Sequence, residues 1–575
     1  MTDTRILKVP SKSLRWLRDV TARGTGTGRH AQNLHGDWLS ADPEAGIPVF
    51  NEELLAGVLP GRRIGDLSRL HQPGDLSAAV VGSGPNGLSA AIVLRAAGVD
   101  VTVFEARRTL GGGARSEIGP LAGFRRDVCS SVYPLGAASP VFRAMDLGRF
   151  GLEWVAPPIP FAHPLDDGSA VVPDAEQDSP DGVGEDAAAW QAAVGTVSNH
   201  WECIADNLLG PLRVPRPDAR VMRFGLRALR SSHGLCRNLF RTERARALFS
   251  GVAAHTAVSL HRPATAAAGL VLAGLTEATG WPFARGGAES ITQSLASLAS
   301  GMGVKIRTGT AIEHGSRLEP YDIRMLDTGP RQVVQLVGSE LKASVARNLA
   351  RYRYGPGICK VDYALSEPVP WCADAARKAG TLHLGGSRME ISTALDQIWS
   401  GNPALAPFVL VGQPSIADSS RAPAGQHALW AYCHVPSGWD GDASPAIESQ
   451  IERFAPGFRD MILARRVTRA SQWEAYNPNW IGGDINGGVQ DLGQLWRRPA
   501  GWLDPYCLRA PDLYLCSSST PPGGGVHGLC GWHAARSALR RNCGLDFTLA
   551  DLRSACTDTG PLEDIPSSRN IDWTP

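Results

Sequence analysis

The sequence carries almost no excess of either charge: 57 Lys and Arg stand against 56 Asp and Glu, a formal net charge of +1 over 575 residues. Nucleic-acid binding needs a clustered basic surface, so this balance leaves no footprint for it, nor for a strongly acidic partner. No uninterrupted apolar stretch is long enough to cross a bilayer. The best segment, 264–275, reads as a buried helix. The basic residues near the N-terminus are not followed by an apolar run and a small-residue cleavage site, so no secretory signal is expected and the default location is cytoplasmic. The eleven cysteines form no C-x-x-C pair. That excludes the common zinc spacings and the thioredoxin-type redox pair, and it points to reduced thiols.

What remains is an ordinary globular composition, 43% hydrophobic and 20% charged. A chain this long divides into two or more domains. Residues 1–76 do not join naturally to the rest of the chain. Within them, Lys12 to Val20 is basic and carries Leu14, Trp16 and Leu17. It reads as a short amphipathic helix, either an arm on the main body or an element contacting a partner or a membrane surface.

From Ser77 the pattern sharpens. Ser77 to Gly82 is a short apolar run, Leu88 to Ala97 is helical, and Asp100 to Glu105 alternates with β-branched residues. This strand-turn-helix-strand unit implies two parallel strands joined by a right-handed crossover. Gly82, Gly84 and Gly87 spell G-x-G-x-x-G at the turn. The first allows a tight turn, the second lets backbone approach a pyrophosphate, and the third lets helix and strand pack closely. The helix N-terminus offers free N–H groups and partial positive charge to the phosphates. Glu105, eighteen residues after Gly87, can accept bonds from both ribose hydroxyls and would repel a 2′-phosphate. Together these features define a dinucleotide site. Glu105-Ala106-Arg107 then leads into Gly111-Gly112-Gly113, an extension common in flavoproteins of the glutathione-reductase type, which favours FAD over NAD.

At this point the sequence resembles the phytoene desaturase and amine oxidase superfamily of flavoproteins, over about 77–541. The matching blocks are Phe124 to Pro134, Trp281 to Leu295, Tyr354 to Asp362, Tyr476 to Gly488 and Tyr514 to Gly528. The resemblance implies that Val526, His527 and Gly528 start a helix facing the flavin, and that Ile312 meets the adenine through its backbone. It also sets Lys360 beside the lysine that superfamily amine oxidases place near flavin N5. For Lys360 the alternatives are an acid/base residue and a surface lysine at a strand end. For His527 they are a flavin-contacting acid/base group and a turn residue offering only its backbone. Asp484 and Asn486 are expected to shape a loop near the site. Gly523-x-Gly525-x-x-Gly528 repeats the fingerprint, but the short chain after it leaves no room for a second nucleotide domain.

The expected fold class is α/β: a Rossmann-like FAD-binding domain of the glutathione-reductase type with an inserted α+β substrate domain. The expected division is an N-terminal extension over 1–76, an FAD-binding domain from 77–140, 285–350 and 500–545, a substrate domain from 141–284 and 351–499, and a tail over 546–575. The implied activity is FAD-dependent oxidation or reduction of a hydrophobic small molecule, polyene or isoprenoid-like, including natural-product tailoring. The alternatives are a non-redox isomerase using reduced FAD and a FAD-containing regulatory or interaction protein. Expected partners include no nucleic acid and no integral membrane segment, with peripheral membrane contact left open. No metal site is expected.

Overall fold

The computed structural model describes residues 70–174, 176, 179–211, 218–496, 499, 501 and 504–560. The amphipathic stretch Lys12 to Val20 lies outside them. Two large sheets organise the fold. In chain order their strands are β1 (Ser77–Val81), β2 (Asp100–Phe104), β3 (Ile159–Pro164), β4 (Ala170–Val171), β5 (Lys305–Arg307) and β6 (Ile323–Leu326). They continue with β7 (Gly357–Leu365), β8 (Ala379–Leu384), β9 (Val409–Gly412), β10 (His427–Val435), β11 (Ile462–Thr468), β12 (Cys507–Arg509) and β13 (Leu513–Leu515).

The first sheet has the order β12-β13-β6-β1-β2-β5. All its pairings are parallel except β12 with β13. β1 is Ser-Ala-Ala-Val-Val and is buried from its second residue onward, as a strand covered on both faces requires. Helix Pro85–Ala96 makes the crossover from β1 to β2 and begins with proline, whose missing N–H costs nothing there. Helix Leu529–Cys543 crosses it so closely that a Cβ on Gly531 would lie 1.9 Å from Asn86 O. Only glycine permits that contact. This mixed α/β architecture with a parallel nucleotide-type sheet is the fold class expected from the sequence.

The second sheet has the order β11-β7-β10-β9-β8-β3-β4 and is antiparallel except where β8 meets β3. One face carries Cys359, Val361, Leu382, Val409, Val411, Leu429 and Cys433 against Ile447, Ile451 and Phe454 of helix Ser444–Phe454. The register puts Lys360 opposite Tyr432, Tyr432 opposite Leu410, and Leu410 opposite His383. Those four residues therefore form one row across the other face.

Three elements differ from the sequence reading. Helical propensity from Pro456 to about Arg465 is not realised: a 3-10 turn at Phe458–Met461 gives way to edge strand β11. Ladder pairing with β7 outweighs local propensity there. The central strand β6 was not anticipated, because it is four residues long and contains Arg324. That arginine is buried, with Glu340 and Asp512 as ion-pair partners. The expected tail contains helix Leu549–Thr557, capped reciprocally by Thr548 and Asp551, with Leu552 and Cys556 buried.

Among the described residues no helix is long and apolar enough to cross a membrane. Helix Thr265–Thr279, which covers most of the apolar segment 264–275, is instead largely buried within the protein.

Candidate functional site

The fingerprint turn closes over the ends of β1, β2 and β6. A Cβ on Gly87 would lie 2.2 Å from Gly82 O, so the helix can approach the strand only with glycine here. The Gly87 N–H donates to Asp327 Oδ2 at 2.9 Å. Asp327 follows β6 directly, and burial, reinforced by Glu105 and opposed by the Gly87 N–H, pushes its carboxyl up to about 7. Glu105 directly follows β2, with its side chain buried. Its Oε2 accepts from Ser83 N at 3.1 Å and Ser83 Oγ at 2.5 Å. Its Oε1 accepts from Arg107 N at 2.9 Å and Arg115 Nη2 at 3.3 Å. The Arg107 guanidinium lies 4.4 Å from the centre of the Tyr476 ring, a cation–π distance.

These groups open onto a cavity of about 740 Å³. Gly82, Gly84, Glu105, Arg107, Gly112, Ile312 and Val526 all border it. Gly87, Gly111, His527 and Gly528 do not, although Gly111 N donates to Ser83 Oγ at 3.3 Å and Gly528 caps helix Leu529–Cys543. The same cavity continues to a wall of Leu272, Trp281, Thr381, Leu410, Trp430 and Tyr432, with His255 among them. Four side-chain polar atoms of its lining residues, Asn86 Oδ1, Thr328 Oγ1, Gln332 Oε1 and Trp430 Nε1, are buried without a hydrogen-bond partner. Buried polar atoms are seldom left in that state without a ligand or water to satisfy them.

Lys360 does not meet the expectation of a cavity-facing lysine. Its side chain is 1% exposed, so it is not a surface lysine either. Nζ donates to Asp127 O at 3.0 Å and pairs with Asp362, whose other oxygen holds Arg126 Nη1 at 3.0 Å. Burial lowers the lysine's pKa, and the Asp362 charge opposes that shift. An ammonium group so enclosed must satisfy its donors inside the protein, and these two partners hold it away from the cavity.

His527 is also turned inward. Nδ1 accepts from Leu529 N at 3.1 Å. Burial pulls the imidazole down to about 4, while bonds to the Gly523 and Gly524 backbone oppose the shift. The ring therefore ties its own loop together in the neutral state. Ser139 Oγ donates to its backbone carbonyl at 2.7 Å. Asp484 shapes the neighbouring loop, accepting from Gly355, Asn486 and Gly488 N–H groups.

Several cavity residues were invisible to sequence reasoning. Asp327 follows the unanticipated strand β6. His255 and His383 are 128 residues apart, yet their Nε2 atoms are 3.0 Å apart. Alternation along β8 and β10 was the only available signal, and it fixes a face without naming what that face meets. None of the eleven cysteines is in a disulfide. Cys129 borders the cavity, with its thiol pushed up to about 12 by burial, so it is not a poised thiolate.

The fold is a mixed α/β architecture built on a Rossmann-like nucleotide-binding domain, and it is shared with putrescine oxidase. A family model of NAD(P)-binding Rossmann-like domains matches residues 80–146. Putrescine oxidase bound to putrescine superposes with a TM-score of 0.53 at 16% identity, covering 80% of this chain and 98% of that one. An oxidoreductase from Methanosarcina mazei does so with 0.52 at 16% identity, covering 79% and 98%. By sequence, the chain is homologous to pyridine nucleotide-disulfide oxidoreductase domain-containing protein 2. The rat protein is 24% identical over 551 residues, covering 81% of this chain and 94% of its own length. The mouse protein is 24% identical over 555 residues, with the same coverage. The resemblance read from the sequence is thus borne out.

Proposed function

We propose that the chain is an FAD-dependent oxidoreductase acting on an apolar small molecule. One observation carries the reading: a single cavity runs from the glycine fingerprint and Glu105 to an aromatic and aliphatic wall. A dinucleotide cofactor fits the first part. The turn can close on the strand because Gly87 lacks a Cβ, and the Asn86, Thr328 and Gln332 oxygens have no partner within the protein. When bound, FAD supplies two-electron chemistry, accepting or returning a hydride.

The chain's own residues bind, orient and exclude water. The Gly82–Gly87 turn and the following helix N-terminus would hold the diphosphate. Glu105 would hold the ribose hydroxyls and disfavour a 2′-phosphate. Ile312 borders the cavity where the resemblance places adenine, and Val526 borders it where the resemblance places the flavin. Trp281, Leu410, Trp430 and Tyr432 would surround the substrate with apolar surface, and burial keeps the Tyr432 phenol neutral by pushing its pKa up. On this reading 77–140, 285–350 and 500–545 form the nucleotide-binding part, and 141–284 with 351–499 the substrate part. Polyenes and isoprenoids suit such a wall.

The test is anaerobic titration of the purified protein with apolar candidates, followed by product analysis. Bleaching of the flavin absorbance with a two-electron change in the product is the expected result. A product isomeric with its substrate would replace this reading with isomerisation. Tight binding without any turnover would replace it with a regulatory role.

A further inference from the structure

His255 lies in the 3-10 turn Ala254–Thr256 that follows helix Glu243–Ala253, and it borders the cavity beside Trp281 and Thr381. His383 stands behind it on β8, fully buried, packed against Phe161 and stacked on Phe408. Their Nε2 atoms are 3.0 Å apart, so one nitrogen carries the proton and the other accepts it. His383 Nδ1 is buried with no hydrogen-bond partner. A bare lone pair is tolerated there more readily than an orphaned N–H. The proton of His383 therefore belongs on Nε2, donating to His255 Nε2. That bond fixes the His255 proton on Nδ1, the ring nitrogen to which no described residue is hydrogen-bonded.

We propose that His255 recognises a polar group in the substrate compartment, presenting an Nδ1–H donor to a neutral acceptor, such as a ketone or ether oxygen, on an otherwise apolar substrate. His383 is its positioning residue. The proposal rests on the reading of the aromatic end of the cavity as the substrate compartment. Burial supports it by drawing His255 down to about 4 and His383 well below the ordinary range, so both stay neutral at pH 7. Leu272, Trp281, Thr381, Leu410, Trp430 and Tyr432 supply no carboxylate at this end, so an ammonium group finds no countercharge there.

The test compares binding of 2-decanone, decane and decylammonium to the full-length protein as purified, by calorimetry at pH 7. Wild type should bind the ketone about three- to tenfold more tightly than the alkane, as one neutral hydrogen bond gives, with decylammonium weakest. His255→Phe should erase the ketone's advantage while leaving alkane binding intact. His383→Gln, which keeps an N–H near Nε2, should retain the advantage, and His383→Leu should lose it. An unchanged ketone-to-alkane ratio in His255→Phe, tightest binding of decylammonium, or no saturable binding of any probe would overturn the proposal. Flavin content, read from the visible absorbance of the same samples, reports separately on the proposed function.

Discussion

Lys360 and Tyr432 stand opposite one another on the paired strands β7 and β10, yet only the tyrosine borders the cavity. The lysine is instead engaged by Asp362 and by the carbonyl of Asp127. Two side chains on one sheet face thus divide the labour: one walls the cavity and the other ties β7 to the segment around Asp127.

The first prediction concerns that tie. Removing one member of a buried ion pair costs about 3–5 kcal/mol, but Arg126 still neutralises Asp362 after the loss of Lys360. Lys360→Met should therefore destabilise the protein by about 3 kcal/mol, the lower end of that range, while leaving the cofactor bound. Guanidinium denaturation checks this. A midpoint equal to that of wild type would remove the structural role assigned to the lysine.

Glu105 accepts four hydrogen bonds inside the cradle. Glu105→Ala should weaken FAD binding by about 1.5–3 kcal/mol, the cost of losing a charged acceptor. Glu105→Gln should fall between the two. Titration of flavin fluorescence measures the affinities, and equal affinity in all three proteins would mean that the carboxylate does not hold the cofactor.

Asp327 gives a pH dependence of definite sign. Its folded-state pKa is raised, to about 7, so its contribution to stability is complete below the ordinary carboxylate range and is lost as pH rises through about 7. In cofactor-free protein, Asp327→Asn should flatten that decline, gaining on wild type as pH increases over this window. Thermal unfolding across the window reads the difference. Parallel curves would show that the carboxyl is not perturbed by its site.

Much of the nucleotide end was legible because it depends on local features: β-branched strands, three spaced glycines and a terminal Glu105. The rest depends on contacts that sequence spacing does not carry. Lys360 was identified as a residue of interest, but its burial is set by Asp362, Arg126 and the Asp127 carbonyl. Strand β6 was hidden by Arg324, which only its ion-pair partners make compatible with a sheet interior. The His255–His383 contact joins a helix end to a strand from a distant part of the chain.

Every described residue bordering the cavity lies between Val81 and Val526. Deleting residues 1–69 should therefore leave FAD binding intact, at wild-type stoichiometry by absorbance. A truncated protein that folds, by circular dichroism, yet holds no cofactor would assign the deleted segment to the site.

The central claim is tested most directly by acid precipitation of the purified protein and identification of what is released. The account predicts a yellow protein, a colourless pellet and one equivalent of FAD in the supernatant, confirmed by mass spectrometry. A protein that is colourless and takes up no added FAD, or one that releases a nicotinamide dinucleotide instead, would contradict it.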